Sequence, residues 1–160
     1  GNQIPKLLYT QILLNAISLN ELSWSREFVA KYTEMLHPDL RSSIGSLALA
    51  FLSFEDKKYN DVLRNLNEVN YTDVRDKIHV RMLTAKTYYE LYENETLLNY
   101  IDSSRHFLQN NSSINESRKK QYGGLLNNLS QLVNLRLRRD PESINNFRNS
   151  VLNSEQNENV

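Results

Sequence analysis

Three alanines, Ala16, Ala50 and Ala85, recur at intervals of 34 and 35 residues, each inside an apolar run of helical period. Gly124 follows Ala85 after a further 39 residues. A period in the mid-thirties is what stacked two-helix units leave in a sequence. A small residue on the first helix of such a unit lets the second approach closely, and bulky residues fill the groove between units. The recurrence therefore predicts an all-α fold of about four antiparallel helical hairpins, with Gly124 as the fourth small position.

The rest of the composition agrees. The chain has Gly 4 and Pro 3 in 160 residues, whereas a sandwich or barrel needs turn residues every ~8–12 positions. Lys+Arg 19 against Asp+Glu 19 leaves no net charge, which argues against a dominant electrostatic affinity for nucleic acid or anionic lipid. Cysteine is absent, so disulfides and thiolate chemistry are excluded. No apolar run approaches the ~20 residues that span a bilayer, and no membrane span is expected in this segment. Gly1 reads as a tag-cleavage remnant, with the native start missing. No signal peptide is visible, and a cytoplasmic compartment is preferred.

Helical periodicity and caps predict eight helices. The first runs from Pro5 with Leu8, Ile12, Ala16 and Leu19 on its apolar face, and the second carries the stripe Trp24, Phe28, Tyr32, Met35. Pro38 opens the third, with Ile44, Leu47, Ala50, Phe51 and Phe54. The fourth presents Tyr59, Val62 or Leu63, Leu66 and Val69. Thr72 is expected to cap the fifth, which holds Ile78, Met82, Ala85 and Tyr88. Asn94 is expected to cap the sixth, with Leu97, Ile101, Ser104 and Leu108 inward. Ser113 and Glu116 fit a capping box before a long seventh helix ending near Arg138. Asp140 and Pro141 open the eighth. The repeat domain is read as 1–153, and 154–160 as a polar tail expected to fray.

The middle of the chain resembles a tetratricopeptide repeat. Leu49 and Ala50 resemble the paired large and small positions of the first helix, Tyr59 the aromatic after the turn, and Val62, Leu66 and Val69 the second-helix positions. Ala85, Tyr88, Leu97, Ile101 and Ser104 repeat the pattern, as do Ala16, Leu19, Phe28, Tyr32 and Met35. The family's inter-helix glycine is replaced by Ser23, Lys57 and Tyr92, and its closing proline is represented by Pro38 alone. The run from Lys57 to Tyr92, with the Tyr122 helix and Asp140-Pro141, also resembles the C-terminal part of a set of large bacterial helical-repeat proteins that carry no known activity. These resemblances imply a right-handed superhelix, cut from a longer one, that works as a scaffold. They imply a concave face, lined by the first helix of each unit, that binds a peptide or protein segment. At the family's groove positions stand Phe51 and Phe54, then His79, Met82, Lys86, Tyr89 and Glu90, then Arg118, Gln121, Leu125 and Asn128. That mixture suits an extended or helical peptide of some acidic character.

Chemistry is otherwise sparse, and no enzyme is expected. His106 has Asp102 at helical spacing, but a zinc site needs three or four ligands, so no metal is expected. Gly123-Gly124 lacks the lysine and strand of a phosphate loop, and no cofactor or small-molecule substrate is expected. Ser103, Ser104 and His106 crowd one helix where neighbours face apart, and so cannot form a relay. Arg136, Arg138 and Arg139 read as cations stabilising a helix C-terminus rather than as a nucleic-acid contact. Two alternatives to peptide binding stand. One is a structural inner or capping segment of a longer stack, able to dimerise through its exposed ends. The other, less favoured, is a nucleic-acid-binding helical repeat.

Overall fold

Helix boundaries follow from a few residues with clear local chemistry. A computed structural model describes residues 3–71, 73–138 and 141–158. Among them are eight α-helices and no strand: α1 Lys6–Ser18, α2 Leu22–Tyr32, α3 Pro38–Glu55, α4 Tyr59–Asn67, α5 Val74–Glu90, α6 Asn94–Asn110, α7 Glu116–Arg138 and α8 Pro141–Glu158. A 3-10 turn, Thr33–Met35, follows α2. Pro38 and Pro141 occupy first helical positions, where the missing N–H is no loss.

Side chains cap α5 and α7, at positions that differ from those expected. Asp73 accepts from the backbone N–H of Arg75 and Asp76 at 2.9 and 3.0 Å and caps α5; Thr72 and Asp140 lie outside the described residues. Asn115, not Ser113, caps α7, accepting from Arg118 N–H at 2.9 Å. The Ser113 N–H instead donates to Asn111 Oδ1 at 3.1 Å. Asn94 is already helical, with Glu93 at the cap position. The α8 helix runs through residues 154–158, where a tail was expected; Asn159 and Val160 lie outside the described residues.

The turns α1–α2, α3–α4 and α5–α6 share one backbone conformation. Asn20, Lys57 and Tyr92 have φ of 60°, 59° and 61°, and each next residue, Glu21, Lys58 and Glu93, has ψ between 57° and 65°. At the first two turns the N–H of Glu21 returns to Ala16 O and that of Lys58 to Ser53 O, both at 2.9 Å, closing a Schellman motif. In the first turn the left-handed position is therefore Asn20, three residues before Ser23.

The chain divides into two compact units, 1–92 and 93–160. The division falls between the two helices that the sequence pairs as a third hairpin. In the first unit α3 packs on α1, α2, α4 and α5, with neighbouring helices also in contact in order. It is the wall shared by two apolar clusters. On one side Ile44, Ala48 and Leu52 meet Tyr9, Leu13, Phe28, Val29 and Leu36. On the other, Leu47 and Ala50 meet Val62, Leu66, Val69, Val80 and Leu83. Each fully buried aliphatic side chain contributes about 1.5–3 kcal/mol. In the second unit α7 packs on α6 and α8. Leu97, Ile101, Ser104 and Leu108 of α6 and Leu126, Leu129 and Val133 of α7 are buried.

Ala16, Ala50 and Ala85 are buried. Gly124 is not a fourth notch, because a Cβ built on it meets nothing within 4 Å, and the same holds for Gly123. The glycine that does permit a close approach is Gly45, whose Cβ would stand 3.2 Å from Thr33 Cγ2. The apolar face of α1 is rotated by one residue from expectation. Tyr9, Leu13 and Ala16 are buried, while Leu8 and Leu19 are exposed. Trp24, expected inward, is exposed and stacks on Phe28 at 5.2 Å.

Candidate interaction face

Helical spacing sets one face of the first unit. Phe51 and Phe54 are one turn apart on α3, both half-buried and packed on the second cluster. His79, Met82, Lys86 and Tyr89 follow the i, i+3, i+7, i+10 stripe of α5. The Phe51 and His79 rings meet edge-on at 5.9 Å, so α3 and α5 do bring these candidates together. Phe54 meets Tyr59 edge-on at 5.6 Å. The Tyr59 hydroxyl donates to Glu90 Oε2 at 3.3 Å. Desolvation, then the Glu90 charge and that hydrogen bond, raise the Tyr59 hydroxyl above its ordinary value.

The candidates differ in what they offer. Lys86 is exposed, and no ion pair involves it among the described residues. Tyr89 and His79 are half-buried. Met82, expected in the groove, is 6% exposed and offers almost no surface. Glu90 is exposed but engaged by Tyr59. Arg118, Gln121 and Asn128 are exposed along α7, and Leu125 is half-buried; all four belong to the second unit.

Sequence reasoning missed Arg75. It stands one turn before His79 on the same stripe, half-buried, and its Nε is enclosed with no acceptor among the described residues. Extending the α5 stripe by one more turn would have found it. Arg75 and Lys86 place two cations in line with His79 on this stripe, although the chain as a whole is neutral.

Asp102 pairs with Arg105 at 3.1 Å rather than with His106. Ser104 is fully buried, while Ser103 and His106 are exposed. No group of three His, Cys, Asp or Glu able to hold a metal occurs among the described residues. No helix among them is long and apolar enough to cross a membrane. Arg136 Nη1 donates to Asn94 Oδ1 at 3.3 Å, bringing the end of α7 to the start of α6. Arg138 lines an open groove of about 460 Å³ between α7 and α8, with Asn134, Asn146 and Phe147; Arg139 lies outside the described residues.

Compared with known proteins, the chain matches no family model, no curated protein and no solved structure at a significant level.

Proposed function

We propose that this chain is a non-catalytic protein–protein interaction module, a tetratricopeptide-like row of helical hairpins that takes a peptide or protein segment of acidic character along the α3/α5 face. The observation that carries this reading is the Phe51–His79 contact at 5.9 Å. It sets an aromatic floor beside the exposed Lys86 and half-exposed Tyr89. Aromatic and cationic groups together make good anchors for a partner segment. Three turns of one conformation and three buried alanines support the repeat reading. The test is an array of peptides graded in acidic content, probed with the parent chain, Lys86→Glu and Tyr89→Ala. Acidic peptides are retained by the parent and lost by both variants at unchanged melting temperature. Loss of stability in both, without selective loss of binding, would show that these residues only pack.

A second reading, an inner or capping segment of a longer stack, is favoured by the surface of the terminal elements. Leu7, Leu8, Leu19 and Trp24 are exposed on the α1–α2 hairpin, and Leu137, Ile144 and Leu152 at the α7–α8 end. Grouped exposed apolar side chains mark association surfaces. Sedimentation velocity separates the readings. Self-association abolished by Leu8→Ser with Leu19→Ser supports the segment reading, and a monomer at all concentrations removes it.

A further inference from the structure

The α7–α8 pair leaves a groove of about 460 Å³ that its own side chains do not fill. Such a volume lies within the ~300–1,000 Å³ of small-molecule sites. Gln131, Asn134 and Arg138 line it from α7 at helical spacing, and Asn146, Phe147 and Ser150 from α8. The stretch of α7 from Gln131 to Arg138 rises about 10 Å along it. No carboxylate is among the lining residues, so none repels an anion there. The arginines at the end of α7 divide their roles. Arg136 reaches Asn94 at 3.3 Å, whereas the exposed Arg138 lines the groove with no ion pair among the described residues. The carboxamides of Gln131, Asn134 and Asn146 likewise have no hydrogen-bond partner among the described residues. Ser150 donates its proton to the Phe147 carbonyl at 2.7 Å, and its oxygen remains an acceptor.

We propose that this groove binds a sugar carboxylate, of the uronic acid class. Arg138 supplies the one cation of the lining and takes the carboxylate through two parallel N–H donors, a match that a guanidinium fork makes and an ammonium does not. A ring hydroxyl is both donor and acceptor. Each carboxamide offers both complements, so Gln131, Asn134 and Asn146 serve several hydroxyls at once. Phe147 is half-buried, and the negative face of its ring attracts the C–H groups on one side of a pyranose. A bare carboxylate would use Arg138 alone, and a neutral sugar would leave Arg138 idle. The groove belongs to the second unit, so the site does not depend on the peptide-binding reading of the α3/α5 face.

The test is an NMR titration of the isotope-labelled full chain with sodium glucuronate, glucose and sodium acetate. Glucuronate shifts the side-chain amide signals of Gln131, Asn134 and Asn146 and saturates with a Kd of about 1 mM, ordinary for a ligand of its size. Glucose and acetate each bind at least about tenfold more weakly, because each lacks part of the contact set. Arg138→Gln lowers glucuronate affinity to that of glucose. Asn134→Asp, which sets a carboxylate in the groove, abolishes glucuronate binding while the backbone signals of α6 and α7 keep their positions. Absence of a saturable shift at these amides overturns the proposal. So does acetate binding as well as glucuronate, or glucose binding as well. Unchanged affinity in Arg138→Gln overturns it too. Should that variant unravel the end of α7, Asn134→Asp decides, and glucuronate affinity equal to the parent's overturns the site.

Discussion

The Tyr9 hydroxyl lies 2.8 Å from Thr33 Oγ1, and Tyr9 is the donor. Thr33 has one hydroxyl proton and gives it to the Val29 carbonyl at 2.6 Å. The bond joins the fully buried Tyr9 of α1 to the half-buried Thr33 of the 3-10 turn, and burial raises the Tyr9 hydroxyl above its ordinary value despite the Thr33 hydrogen bond. Tyr9→Phe keeps the ring contact with Phe28 at 5.0 Å and deletes only the bond. It should destabilise the chain by about 1 kcal/mol, the usual net worth of one such bond, read as a lower urea midpoint at unchanged slope.

Glycines in helices answer differently to alanine. Gly124→Ala replaces a poor helix former in open space and should stabilise by about 0.8–1 kcal/mol. Gly45→Ala should give clearly less, because Thr33 Cγ2 at 3.2 Å must give way and its bonds to Tyr9 and Val29 resist. Chemical denaturation of the two single variants side by side checks the order.

The left-handed turn positions carry strain that glycine removes. Lys57→Gly should raise stability by about 0.5–1 kcal/mol, since only glycine takes φ near 60° without a Cβ penalty. Tyr92→Gly should act in the same sense. A fall in melting temperature for Lys57→Gly would mean that its side chain stabilises by contacts that outweigh the backbone gain.

Stability should fall at both ends of the pH range. Burial pushes the Asp73 carboxyl up, but the Lys6 hydrogen bond, the N–H groups of Asp76 and Arg75 and the Lys6 charge hold it below its ordinary 3.8. Its contribution is complete above that pH and is lost as pH falls through the depressed value. Burial pulls Lys6 down, yet its bonds and attraction to Asp73 and Asp76 leave it above its ordinary 10.5. That contribution is complete below 10.5 and is lost as pH climbs through the raised value. Melting curves across pH should show both declines in the parent, and flatter ones in Lys6→Met.

Helix number and most apolar stripes were legible because periodicity reports burial directly. Val62 and Leu66, and the α6 row Leu97, Ile101, Ser104 and Leu108, are buried as their spacing predicts. The α1 register was not, since Leu7, Leu8, Ile12, Leu13 and Leu14 offer apolar faces in every direction. The choice was made by Tyr9, whose hydroxyl needs Thr33, a contact between residues 24 apart. Gly124 misled because a small residue marks close packing only when a neighbour stands over it. Of the proposed interaction face, the repeat register implied by the resemblance named Phe51 and His79, whose rings meet, and also Lys86 and Tyr89. The burial of Met82 and the role of Glu90 as partner of Tyr59 depend on tertiary contacts that no local pattern encodes.

The most direct test of the interaction face is an NMR titration of the isotope-labelled chain with a glutamate-rich peptide. Chemical-shift changes should gather at Phe51, His79, Lys86, Tyr89 and the Arg75 guanidinium, and vanish in Lys86→Glu. Binding whose shifts leave α3 and α5 untouched, or no binding by any acidic peptide at low salt, would contradict it.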